Sequence, residues 1–539
     1  MFRIARIHWP LFYSVVLYLL VVLVLLLTSF QINSHNFVYP LDDTYIHMSI
    51  ARSFALYDVW GVTRHEYTSS TSSPLWTFCL ALLFKIVGIH DLIPLLLNLL
   101  FGVFTLITLY NVLNIFIKNN YKLTFLLISI VVFVTPLPTL TFIGMEHVLH
   151  VFLTMLFLLF LLKIDMSNNW INILAAICLS SLLITTRYEG VFLVLISCAL
   201  LLLKRRTLVA ALIFIAALLP IFVYGLWSMT HGWFFLPNSL LLKGNLPGNS
   251  IASVVRFLGY DLAENIYNSP HLLILIVLSL ASLAYSIRTG GIDKLNRESI
   301  VNIIFIGATL LHLQFARTGW LFRYEAYLMS LGILAVGVSL NSLPFKMRTR
   351  KLDCKNLPMY AVSSLLACII LFPFFDRTIL SLVLTPLATN NIYQQQYQMG
   401  LFLKRFYQGR SVAVNDIGAV TYLADIHLLD LWGLGSLEPA IMKMEERYSS
   451  QEILRLTQSE NVVVAIVYDS WFQNGTVNRT PQQWVRVGQW TINHQVVAAD
   501  DTVSIYAVRP SEVESLANNL KRFSVELPST VIQYGRYVE

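Results

Sequence analysis

Apolar residues occur along most of this chain in long runs separated by short polar punctuation. Residues 11–30 (LFYSVVLYLLVVLVLLLTSF) are long and apolar enough to cross a bilayer. Further runs lie at about 92–117, 123–142, 145–163, 169–186, 189–203, 207–228, 271–287, 299–316, 319–340 and 358–375. The segment at 75–87 (PLWTFCLALLFKI) falls short of the roughly 20 residues a spanning helix needs. Positive charges gather between the runs, at Lys118/Lys122, Lys163, 204–206, 288–297 and 346–355. The positive-inside rule makes those loops cytoplasmic, together with the N-terminus carrying Arg3 and Arg6. An inside start and an outside end beyond residue 375 require an odd number of crossings. The pattern therefore predicts about eleven spans, with 75–87 re-entrant or lying at the interface.

From about Asn390 the periodicity becomes that of a soluble α/β domain. SVAVND and NVVVAIVYD read as buried strands, QEILRL as helix, and WVRVGQWTINHQVVAADDTVSIYAVRP as closing antiparallel strands. Pro386 and the polar run after it mark a boundary. The expected organisation is a polytopic α-helical membrane domain over 1–385, with its first outer loop at 31–74, and an extracytoplasmic α/β domain over 386–539.

Composition narrows the class. The chain has 539 residues, 56% hydrophobic and 12% charged, with mean hydropathy +0.66. A soluble domain carries about twice that share of charge. The net charge of +7 sits in loops between apolar runs, which is a topology signal and not a nucleic-acid face. Cysteines 79, 178, 198, 354 and 368 show no C-x-x-C spacing, so neither a disulfide framework nor a cysteine metal site is indicated. No small-residue cleavage motif follows the first apolar run, so it is expected to stay as an anchor.

Charge that does enter this apolar chain falls on one side of it. The predicted outward ends carry Asp42/Asp43, Glu66–Pro74 (EYTSSTSSP), Gly144-Met145-Glu146-His147, Arg187-Tyr188-Glu189-Gly190, Leu236-Pro237-Asn238-Ser239 with Lys243, and Arg323-Tyr324-Glu325. The cytoplasmic ends carry ordinary Lys/Arg punctuation. Polar residues at span ends are costly, so such asymmetry points to a site at the outer interface. Each has a blander reading. Asp42 or Asp43 serves as a helix cap, although capping needs one aspartate and here there are two. Arg187 and Glu189 pair with each other, Glu146 complements a helix dipole while His147 anchors at the interface, and Arg323 snorkels to headgroups. His47, His65 and His231 lack metal-ligand spacing and read as solvated loop residues. The glycosylation-like tripeptides Asn474-Gly475-Thr476 and Asn478-Arg479-Thr480 are too short to be specific.

Taken in order, these elements resemble the GT-C superfamily of polyprenyl-phosphate-sugar-dependent membrane glycosyltransferases, in particular the group of terminal arabinofuranosyltransferases and bacterial envelope glycosyltransferases. Asp42-Asp43-Thr44-Tyr45-Ile46 matches a D-D-[AST]-[YF]-I element, Gly144-Met145-Glu146 a G-[LM]-E element, and Arg187-Tyr188-Glu189-Gly190 an R-x-E-G element in which tyrosine replaces the usual proline. Leu236-Pro237-Asn238-Ser239 with Lys243, and Asn415-Asp416-Ile417-Gly418-Ala419 with Asp430-Leu431-Trp432-Gly433-Leu434, continue the match over about residues 40–435. Glu66–Trp76 matches a G-Y-T-[NS]-x-x-W element less well, being longer and without the glycine.

The resemblance implies a multi-pass protein of the bacterial inner membrane with its site on the periplasmic side. It implies a polyprenyl-phosphate sugar donor, an envelope glycan, lipid or protein acceptor, and an aspartate of the first outer loop in catalysis. The residues are consistent with that chemistry. Asp42 or Asp43, with Asp42 preferred, is expected to take the acceptor hydroxyl's proton. Arg187, Arg323 and Lys243 are the cations available to a phosphate. Glu146, His147, Glu189, Asn238 and Tyr324 complete the expected substrate-binding set. No cofactor is indicated with certainty, and a divalent metal bridging carboxylate and phosphate is left open. Two rivals stand beside this reading: a lipid-linked sugar transporter or flippase, and a non-catalytic envelope protein that binds glycan.

Overall fold

The computed structural model describes residues 8–167, 169–243, 251–290, 296–342, 357–472 and 479–538. Arg3, Arg6, the basic loop 346–355 and Asn474–Asn478 lie outside the described residues. Every predicted apolar run forms helix. In chain order these are α1 (Trp9–Ile32), α2 (Asp42–Tyr57), α3 (Pro74–Val87), α4 (Ile93–Phe116), α5 (Tyr121–Val134), α6 (Leu137–Ile143), α7 (His147–Met166), α8 (Trp170–Thr186), α9 (Gly190–Leu203) and α10 (Thr207–Thr230). After the short α11 (Asn238–Lys243), α12 (Ile251–Arg256) and α13 (Leu262–Asn268) come α14 (Pro270–Gly290), α15 (Arg297–Phe315), α16 (Ala326–Ser342) and α17 (Leu357–Gln394).

Among the described residues, seven helices (α1, α4, α7, α10, α14, α15 and α17) are long and apolar enough to cross a membrane. The α5–α6 pair, bent by 41° at a break that includes Pro136, would make an eighth. Proline lacks the N–H that would continue α5. Helices α8, α9 and α16 are shorter, at 17, 14 and 17 residues. Helix α3 has 14 residues and buries Trp76, Leu80 and Phe84 while exposing Phe78, Leu82 and Ile86. Helix α7 forms the centre of the bundle, and α1 and α10 present leucine, valine and phenylalanine outward, as lipid-facing helices do.

Two sequence expectations shift. The run at 319–340 begins its helix only at Ala326, because Gly319, Trp320, Leu321 and Phe322 take four consecutive left-handed conformations (φ +84°, +42°, +55°, +64°). Helix α17 runs on through Pro386, so the change of composition there is not a break in the chain's helix.

Beyond α17 and α18 (Gln396–Phe406) the chain builds the sheet domain. Strands β1 (Ser411–Val414), β2 (His427–Asp430), β3 (Val464–Val467), β4 (Val485–Thr491), β5 (Thr502–Ala507) and β6 (Ile532–Gly535) form one sheet in the order β2-β1-β3-β5-β4-β6. The β1 strand pairs parallel with β2 and β3, and the remaining pairings are antiparallel. Helices α19 (Gly418–Leu423), α20 (Leu437–Met444), α21 (Ser450–Ser459) and α22 (Val513–Phe523) accompany it. The start of α19 and the loop after β2 both reach the first loop of the membrane domain and the helix within it.

Candidate active site

A cavity of about 400 Å³ lies at the end of the bundle beside the sheet domain. Asp43, Arg187, Glu189, Lys243, Arg323 and Tyr324 line it, while Asp42, Glu146, His147 and Asn238 lie behind its wall. Its remaining wall is mostly apolar, from Val191, Phe192, Leu236, Leu240 and Phe315, with Leu434 of the sheet domain.

Asp43 is the second residue of α2, where a carboxylate complements the helix N-terminus. Its oxygens each accept from a cation, one from Lys243 Nζ at 3.2 Å and the other from Arg323 Nη2 at 2.6 Å. Burial alone would raise the Asp43 carboxyl. The Lys243 and Arg323 charges outweigh that and hold it well below the usual carboxylate range. Arg323 is itself buried, yet its Nε–H has no hydrogen-bond partner. The guanidinium also donates from Nη2 to the Tyr324 hydroxyl at 3.1 Å and packs over that ring. The left-handed turn at 319–322 delivers Arg323 to this place. Glu325 holds the turn by accepting from Gly319 N–H at 2.8 Å, and Arg377 of α17 both pairs with Glu325 and donates to Phe322 O.

Arg187 follows the end of α8 and makes a fork onto Glu189, while Nη1 donates to Glu146 Oε1 at 2.9 Å. It is thus already flanked by two carboxylates. Glu146 is brought there by Gly144, whose φ of +76° and contact with the Tyr39 ring leave no room for a side chain. His147 packs edge-on to Tyr324 and is buried. Asn238 joins parts of the protein: its backbone N–H donates to Ser69 O and its side-chain Nδ2 to Gly433 O at 2.7 Å, while its Oδ1 has no hydrogen-bond partner.

His47 corrects a sequence expectation. It is buried in the cavity wall, not solvated, with Nδ1 2.8 Å from Thr77 Oγ1 and Nε2 3.5 Å from Glu146 Oε2. Its position four residues after Asp43 on α2 is the signal that would have found it. Arg317, exposed at the cavity, stands outside every motif read from the sequence. Trp320 is half exposed and Tyr327 packs with His312, while the Tyr324 ring lies under the Arg323 guanidinium. Among the described residues no three His, Cys, Asp or Glu side chains converge as metal ligands.

This architecture is similar to that of ArnT from Cupriavidus metallidurans bound to undecaprenyl phosphate, with TM-score 0.53 and 13% identity, covering 94% of this chain and 99% of ArnT. The apo state of the same protein is similar at TM-score 0.53 and 13% identity, covering 92% and 98%. The fold is the GT-C fold. Residues 390–506 match a family model described as a domain of unknown function (DUF8728). No curated protein is significantly similar in sequence.

In this chain the 390–506 region is in contact with the membrane domain's first loop. Asp42 points away from the cavity, and its carboxylate accepts from the N–H groups of Gly418 (2.6 Å) and Ala419 (2.7 Å) at the start of α19. Ser70 Oγ donates to Leu434 O at 2.7 Å, and Asp430 ties the 432–435 loop by accepting from Trp432 and Gly435 N–H. The two adjacent aspartates thus have separate surroundings.

Proposed function

We propose that this protein is a membrane glycosyltransferase that transfers a sugar from a polyprenyl-phosphate donor to an envelope acceptor on the outer face of the bacterial inner membrane. The observation that carries the reading is the grouping of Asp43, Lys243 and Arg323 in one cavity, where Arg323 keeps a buried N–H without a partner. A phosphate oxygen supplies what that N–H lacks, and the apolar flank of Val191, Phe192, Leu240 and Phe315 suits a prenyl chain.

In this reading Asp43 takes the role that the sequence favoured for Asp42. A donor phosphate draws Lys243 and Arg323 toward itself, and Asp43 loses the charges that make it a weak base. The acceptor hydroxyl then gives its proton to the Asp43 carboxylate as its oxygen bonds to the sugar's anomeric carbon. The bond between that carbon and the phosphate oxygen breaks, and polyprenyl phosphate leaves on the two cations. Arg187, held by Glu146 and Glu189, orients the wall and Tyr324 and leaves the phosphate to the other pair.

The test uses the full chain in nanodiscs with a panel of undecaprenyl-phosphate sugars and envelope-extract acceptors. Donor-dependent transfer is expected. In cells, cysteines at the exposed positions Glu66 and Arg205 are expected to label from opposite sides of the membrane, with Glu66 outside. Absence of transfer with every donor, or labelling of both positions from one side, would sink the reading.

A further inference from the structure

We propose that Asp42 and Asp416 form a carboxyl–carboxylate latch through which the sheet domain sets the position of Asp43, making Asp42 a positioning residue. This rests on the reading of Asp43 as the base. Asp42 has both oxygens occupied by the two backbone N–H groups that open α19, and its side chain also hydrogen-bonds Asp416. Gly418 is fixed by the same contact: a Cβ there would stand 2.0 Å from the Asp42 carbonyl oxygen. Behind the pair, Gln396 of α18 donates to Asp416 Oδ2 at 2.8 Å, and Thr421 of α19 donates to Ser49 of α2 at 3.0 Å. No group in this set lines the cavity. What does line it is the next residue along the chain, Asp43.

Two carboxyl groups in contact and out of water cannot both be charged, so one proton is shared between them. Burial pushes both upward. The two N–H donors favour charge on Asp42, which leaves the proton on Asp416, well above its ordinary range. Asp42 and Asp43 from α2, Gln396 from α18 and Tyr468 just after β3 face Asp416, and none of these four is a cation. Rising pH therefore ionises Asp416, sets two carboxylates against each other and opens the latch. The sheet domain thereby gains a role in the reaction by keeping the catalytic loop in register.

The experiment compares D42N, D416N and D416L in the full chain, by transfer kinetics across pH and by hydrogen exchange of the segment holding Gly418 and Ala419. Misplacing the base without touching the donor site should lower kcat about 100-fold in D42N and leave the donor KM nearly unchanged. The same variant should exchange the 418–419 amides about tenfold faster, since one charge-assisted hydrogen bond is lost. The side-chain amide of D416N still donates to Asp42 and cannot ionise. D416N should therefore lose far less than D416L and keep transfer at alkaline pH where the wild type declines. Unchanged exchange at 418–419 in D42N, or equal losses and equal pH profiles in D416N and D416L, overturns the latch. If D42N does not insert stably, the two Asp416 variants decide alone. If the wild type transfers no sugar, the exchange data still decide the latch and only the functional reading falls.

Discussion

The two ends of the helical bundle handle charge differently. At the end away from the sheet domain, Asp165 pairs with Lys204 and lies 3.8 Å from Arg297, with Asp165 and Lys204 each about a quarter exposed. Water shares the work there, and such a pair contributes little. At the other end Glu146, Arg323, Glu325 and Arg377 are almost wholly buried. Each of these would be costly alone and is matched by a partner, Glu325 by Arg377 and Glu146 by Arg187. Within this cluster the Arg323 Nε–H and the Glu146 Oε2 are left without a hydrogen-bond partner, and under the proposed function the cation's spare N–H is the place for the ligand.

The contrast is most sharply broken by Asp43→Asn, which keeps size while removing the proposed base. Transfer should fall by about 10²–10⁴ with insertion intact, the range for losing general-base catalysis. Full activity in purified protein would remove Asp43 from the reaction. Next in size is Arg323→Lys, which retains charge but loses the planar fork. Donor affinity, read by titrating the polyprenyl-phosphate sugar, should weaken about tenfold, more than acceptor affinity. Lys243→Met should act chiefly on pH. With Lys243 present the Asp43 carboxyl is held low and stays charged as pH falls. Removing the cation raises it, so the acid limb of kcat/KM should move upward in pH, and an unmoved limb would contradict the pairing. Asp165→Asn, at the opposite end, should leave transfer untouched and cost under about 1 kcal/mol in a thermal melt.

Much of this was legible in the residue pattern. Long apolar runs report helices because the chain must satisfy its own backbone in lipid. The strands SVAVND and NVVVAIVYD emerged as β1 and β3 for a similar reason, each being buried on both faces. What the pattern did not carry was direction. Asp42 and Asp43 are adjacent in sequence, and only the approach of α19 separates their roles. His47 read as a loop residue because α2 is too polar to look like a buried helix. Asn238 read as a ligand-binding residue, and the pattern gave no sign that its side-chain N–H donates to Gly433, 195 positions away. The start of α16 moved because a left-handed turn at 319–322 has no signature beyond the single Gly319.

Helices α8 and α9, which meet at the cavity, are 17 and 14 residues long. At 1.5 Å per residue they rise only about 25 and 21 Å, against a hydrocarbon core of about 30 Å. If these two helices span, lipid beside them has to thin to meet them, at a cost of fractions of a kcal/mol per ångström. A dimple in the bilayer would then lie against the wall formed by Val191 and Phe192. Under the proposed function, an isoprenoid phosphate drifting in the leaflet would find its headgroup already lowered toward Arg323, and the protein's stature, as much as its charges, would steer the encounter.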